Sequence, residues 1–184
     1  MIWLTSDWHF NHDREFIWKP RGFTSVQEMN TEIVRRHNEV IKPEDTVYIL
    51  GDVMLGGQDE SGLEFIKAVN GNKIIIAGNH DTDRRRELYQ SRLNIPVHDA
   101  LRIRHNGYHL YLSHFPTLTS NLEKESLKQC TINAYGHTHQ TTNFFEDRPF
   151  MYHVGVDSHN CYPVSIEQAI ADMKLKVQEC YEQL

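Results

Sequence analysis

Positive charge is in short supply in this 184-residue chain: 19 Lys and Arg stand against 25 Asp and Glu, for a formal charge of −6. A face that binds long duplex nucleic acid must displace many counterions, so no extended nucleic-acid contact is expected. Cysteine is equally scarce. Cys130, Cys161 and Cys180 are odd in number and far apart, with no Cys-x-x-Cys pair. That argues against a disulfide frame or a zinc knuckle and suits a reducing compartment. No window is long and apolar enough to span a bilayer, and the first apolar run is cut at once by Asp7. Internal repeats, low-complexity tracts and linker-like stretches are missing too. These readings predict one domain over residues 1–184, in the cytoplasm and without a membrane partner.

Histidine is what the chain has in plenty, with twelve residues, some in tight pairs such as His9 with His12 and His137 with His139. Histidine is the commonest protein metal ligand. Its placement is more telling than its number. Five short apolar runs each stop within a few residues at a group that binds hard metals. Ile2–Leu4 leads to Asp7 and His9, and Val47–Leu50 leads to Gly51-Asp52. Ile74–Ala77 leads to Gly78-Asn79-His80-Asp81, Leu110–Leu112 to Ser113-His114, and Ile132–Tyr135 to Gly136-His137-Thr138-His139. Apolar runs rich in β-branched and aromatic residues, ended by a turn residue, read as buried strands. In α/β sheets ligands gather beyond the carboxyl ends of the strands. Carboxylate, amide and imidazole groups would then meet at one place, which is a prescription for metal-centred chemistry.

Between these strands the pattern switches to helical spacing. Ser25 with Glu28 forms a capping box ahead of Val26, Met29, Ile33, His37 and Val40, and Pro43 ends that helix. A short helix is predicted near 61–69 and a charged one over 82–92, while 10–24 reads as a loop. Asn106-Gly107 between 101–105 and 108–112 is a strong hairpin signal. A second hairpin is predicted from 143–145 and 150–154. Ser165 with Gln168 caps a last helix with a stripe of Ile166, Ala169, Ile170, Met173, Val177, Cys180 and Leu184. Helices between the early strands and hairpins later predict an α/β fold of two packed mixed β-sheets flanked by helices, a four-layer α/β/β/α sandwich.

In this order, the blocks Asp7-x-His9, Gly51-Asp52, Gly78-Asn79-His80-Asp81, His114 and Gly136-His137-x-His139 resemble the calcineurin-like metallophosphoesterases. The likeness runs from Asp7 to Val154-Gly155-Val156-Asp157, and the opening looks like that of small single-domain bacterial and phage members. The resemblance implies two metal ions. Asp7, His9, Asp52 and His139 would hold the first, and Asp52, Asn79, His114 and His137 the second, with Asp52 shared. It further implies His80 as the general acid of phosphodiester hydrolysis by a metal-activated hydroxide, oriented by Asp81 with a raised pKa. A small or nucleotide-type phosphorylated substrate is expected, with a phosphomonoesterase or nucleotide pyrophosphatase as the alternative. Some members carry an acidic residue just after Gly-Asp, where this chain has Val53-Met54-Leu55.

Mixed oxygen and imidazole ligation suits Mn, Fe or Zn better than a purely oxygen-seeking Ca site; two divalent or transition metal ions are expected, Mn²⁺ first, with Fe, Zn, Ni or Mg as alternatives. A homo-oligomer is compatible with the chain. Arg84-Arg85-Arg86 reads as a solvated helix face from which one residue could reach substrate. Asn11, His12, Arg35 and Asn38 read as a polar rim, His37 as a satisfied buried histidine, and Asp81 as a possible cap for the helix from Thr82.

Overall fold

The computed structural model describes residues 1–56, 59–120 and 126–182. Among the described residues, nine strands form two mixed sheets. The first has the order β4-β3-β2-β1-β9, where β1 is Ile2–Thr5, β2 Thr46–Ile49, β3 Asn72–Ile76, β4 Val97–His98 and β9 Val164–Ser165. β1 to β4 run parallel, and β9 closes the edge antiparallel to β1. The second sheet has the order β5-β6-β7-β8, made of Ala100–His105, Tyr108–Ser113, Thr131–Tyr135 and Met151–His153. Its first pair is the antiparallel hairpin about Asn106-Gly107, and the other two pairs are parallel.

Strand alternation divides the apolar residues between two cores. Val47, Ile49 and Ile75 point to one side of the first sheet, where they meet Met29 and Ile33 of α2 (Val26–Val40), Leu63 and Ile66 of α3 (Asp59–Ala68) and Tyr89 of α4 (Asp83–Leu93). Leu4, Leu50 and Ile76 point to the other side and join Leu110, Leu112, Ile132, Ala134 and Tyr152 of the second sheet. The same layer takes in Ile166, Ala169, Ile170 and Met173 of the last helix, α5 (Ile166–Glu182). The predicted stripe is therefore the buried face, although Leu184 lies outside the described residues.

Local differences from the sequence reading have physical reasons. Residues 15–18 form a short helix, α1 (Glu15–Trp18), inside the segment expected to be loop. Ser25 does cap α2 by accepting from the Glu28 amide at 3.1 Å, but the Glu28 carboxylate bonds the Thr24 amide and hydroxyl instead of closing the box on Ser25. The second hairpin shrinks to one bridge, Phe144 to Tyr152, beside a 3₁₀ turn at Phe145–Asp147. Two-residue strands such as β4 and β9 leave no periodicity to read.

Candidate metal centre

Strands β1, β2, β3, β6 and β7 all end at one edge of the molecule, and the turn after each carries a predicted site residue. Among the described residues, two groups of side chains able to hold a metal ion form there, Asp7 with His9 and His139, and Asp52 with His114 and His137. Within each, one ligand atom per residue lies within 4.8 Å of the others. Asn79 belongs to the second group, its Oδ1 lying 3.0 Å from His114 Nε2 and 2.9 Å from His137 Nδ1. Asp52 stands between the groups: its Oδ2 is 3.5 Å from His9 Nε2 and also 3.5 Å from His114 Nε2. All seven side chains expected to bind metal are thus brought together.

The turns approach so closely that side chains are excluded from them. A Cβ on Gly136 would strike Ser6 and the Asp7 carboxylate, and one on Gly51 would meet the backbone of Gly78 and the His114 ring. Ligand-bearing residues also take an uncommon backbone form. Asp7, His9, Asp52, His137 and His139 all have positive φ, between 49° and 71°. Asp and His adopt this left-handed region more readily than most side chains, though still at a cost.

The donor set fits cations. His114 Nδ1 donates to the Leu50 carbonyl at 2.8 Å, which leaves its Nε2 lone pair aimed at Asn79 Oδ1 and, at 3.2 Å, at His137 Nδ1. His139 turns Nδ1 to the Asp157 carboxylate at 2.9 Å, so its Nε2 faces His9 Nε2 at 3.1 Å. Acceptors aimed at one another repel unless a proton or a cation lies between them. The protein groups alone register this tension. Burial pushes Asp7 up to about 6. Burial works against protonated His114 and His139, yet Asp52 and Asp7 raise the first, and Asp157 with Asp7 raise the second. Asp52 is held at about 2 despite burial, chiefly by its bond to His114. Asp7, His9, Asp52 and His139 would hold one ion, and Asp52, Asn79, His114 and His137 the other.

His80 presents a side chain 39% exposed, with Nε2 3.9 Å from Asp52 Oδ2, and its amide donates to Asp52 Oδ1 at 2.9 Å. Asp81 differs from expectation. Its buried carboxylate accepts from the amides of Asp52 (2.8 Å), Gly78 (2.9 Å) and Val53 (3.2 Å) and from the Tyr89 hydroxyl (3.0 Å), not from the His80 ring. Thr82, not Asp81, caps α4. Asp81 therefore clamps the β2 and β3 turns together, because three converging amides draw a carboxylate more strongly than one imidazole does.

The arginine run serves the same turn. Arg85 donates to the His80 carbonyl at 2.7 Å and to Gly56 at 3.1 Å, and Arg86 to the Asp81 carbonyl at 3.0 Å, while Arg84 stays on the surface against Asp59. Sequence reasoning missed Arg21. Its side chain, only 1% exposed, pairs with Asp157 and donates to the carbonyls of Asp7 (2.9 Å) and Trp8 (3.3 Å). It lies in an irregular segment with no spacing signal to reveal it.

The fold and the paired candidate ligand groups suit metal-assisted hydrolysis, the chemistry of the metal-dependent phosphoesterases. A model of the calcineurin-like phosphoesterase superfamily domain matches residues 1–160, and the chain belongs to that family. Among curated relatives it is 30% identical to an uncharacterized protein of Methanocaldococcus jannaschii, over 90% of this chain and 87% of that one. It is 28% identical to the gene 66 protein of Mycobacterium phage D29, over 94% of this chain and 97% of that one. A solved structure of a protein of unknown function from Aquifex aeolicus superposes with a TM-score of 0.67 at 26% identity, covering 94% of this chain and 98% of that one.

Proposed function

We propose that this phosphoesterase hydrolyses phosphodiesters of small, nucleotide-type substrates at a dinuclear centre, with His80 as the general acid. The observation that supports this most is the position of Asp52, equidistant from an imidazole of each ligand group. A carboxylate there would serve both ligand groups and would offset the repulsion between two bound cations. Paired divalent ions, when bound, clamp the phosphoryl group and make water nucleophilic at neutral pH.

The chain's own residues supply the remainder. Asp81, Arg85 and Arg86 hold the Gly78–Asp81 turn, so that His80 Nε2 stays beside Asp52 and open to solvent. From that place Nε2 would pass a proton to the departing oxygen. An alkoxide leaving group gains most from such an acid, which favours diesters; a positioned acid contributes roughly 10²–10⁴-fold.

The test compares bis(4-nitrophenyl) phosphate with 4-nitrophenyl phosphate on Mn²⁺-loaded protein. The diester is expected to be cleaved faster, and faster monoester cleavage would overturn the preference. His80→Asn should slow hydrolysis of a diester with an alkyl leaving group far more than one releasing 4-nitrophenolate. Equal effects on both would remove His80 from its role.

A further inference from the structure

Two phenylalanines stand in solvent at the two ends of the ligand row. Phe16 is 70% exposed and Phe115 49% exposed, and neither packs into the apolar cores. The row can be followed ring by ring. Phe16 lies 5.6 Å from His12 between centroids, and His12 lies 5.3 Å from His9. Asp52 bridges His9 to His114, whose ring is 5.0 Å from that of Phe115. Phe115 also meets His137 edge-on at 4.7 Å. One aromatic side chain thus flanks each ligand group.

Single exposed apolar residues are ordinary on protein surfaces. These two differ because of what surrounds them. A cavity of about 500 Å³ opens at the Phe16 end, walled by Phe16, Ile17, Pro20 and Leu55 and reaching His9 and His80. That volume lies within the range of small-ligand sites. Because the cavity shares His80 with the reacting centre, its occupant is part of the substrate. The lining also carries the imidazoles of His9, His12, His80 and His139, a mixture that suits a flat ring with polar edges better than an acyl chain. At the other end, Leu118, three residues after Phe115 in the chain, is 65% exposed.

We propose that Phe16 and Phe115 are specificity walls, and that the substrate carries a planar aromatic group of nucleobase type on each side of the scissile phosphorus. This rests on the diesterase reading above. Ring-on-ring stacking is tolerant of base identity and worth roughly tenfold or more in affinity for each ring. The net charge of −6 keeps the substrate short, since a long polyanion would be repelled.

The test uses three esters that all release 4-nitrophenolate: bis(4-nitrophenyl) phosphate, the 4-nitrophenyl ester of thymidine 5′-monophosphate, and methyl 4-nitrophenyl phosphate. Phe16→Ala and Phe115→Ala should each raise KM for the two-ring esters about tenfold, with the larger effect on KM than on kcat. For the methyl ester, which has a ring on one flank, only one of the two variants should do so. Equal effects on all three esters, or none, would overturn the proposal. If the protein cleaves only 4-nitrophenyl phosphate, the diester reading fails separately. The rings are then read from KM for that monoester against inhibition by inorganic phosphate. An alanine variant that weakens the first alone supports ring contact, and variants that change neither overturn it.

Discussion

Arg21 and Asp157, 136 residues apart in the chain, meet as a two-pronged ion pair, Nε to Oδ1 at 2.8 Å and Nη2 to Oδ2 at 3.0 Å. The same Oδ2 accepts from His139 Nδ1 at 2.9 Å. Despite burial, His139 and Arg21 hold the Asp157 carboxyl well below the usual carboxylate range. The pair therefore fixes the His139 ring and, through the Asp7 and Trp8 carbonyls, the backbone between two other ligands.

Asp157→Asn and Arg21→Met should weaken Mn²⁺ binding at the His139 site by roughly 10–100-fold, the usual effect of losing a group that orients a metal ligand. The site around His114 should change less. Calorimetric titration with Mn²⁺ resolves the two, and unchanged affinity at both would show that the pair serves only the fold.

Asp52→Asn keeps the shape of the shared ligand and removes its charge. Elemental analysis should find two ions per chain in the parent and fewer than two in this variant. Phosphoester hydrolysis should fall by at least about 10²-fold, since a neutral amide cannot offset two adjacent cations. Full metal content in this variant would take the bridge away from Asp52.

His37 makes stability depend on acidity. The ring is buried, donates toward the Asn70 carbonyl at 3.0 Å and packs edge-on against Trp8; burial lowers its pKa to about 4. Unfolded, it titrates near 6.5, so the unfolded chain binds the extra proton first. Its contribution is complete above pH 6.5 and is lost as pH falls toward 4, by on the order of 2–3 kcal/mol. Denaturant unfolding of the parent and of His37→Gln at several pH values should show the acid slope shrinking in the variant. Parallel slopes would contradict this.

Tyr89→Phe removes one of the four hydrogen bonds on the buried Asp81 carboxylate. A bond to a charged acceptor contributes about 1.5–3 kcal/mol. A thermal midpoint lower by several degrees is expected for a chain of this size. A shift below about one degree would mean that the amides alone satisfy Asp81.

The gathering of the strand-end candidate ligands was legible because each is local: an apolar run, a turn residue and a donor within a few positions. Asp7, Asp52, Asn79, His114 and His137 each declare themselves beside their own strand. The relations that depend on distant segments were not legible. Arg21 and Asp157 meet only after the two sheets pack, and nothing in the spacing of either marks the other. Asp81 looked like a partner for its neighbour His80, yet three amides converging from two turns decide where its carboxylate goes. The two-residue strands β4 and β9 are defined by their pairing with β3 and β1, not by any pattern of their own.

Five candidate ligand residues sit in left-handed backbone, which limits how the site can be rebuilt. A redesign that replaced one of them with a bulkier or β-branched donor would meet two obstacles at once, a changed coordination reach and a peptide twist that such side chains resist. Metal preference is thus better altered from the supporting groups around the ligands, whose own main chain lies in ordinary conformations, as at Arg21, Asp81 and Asp157.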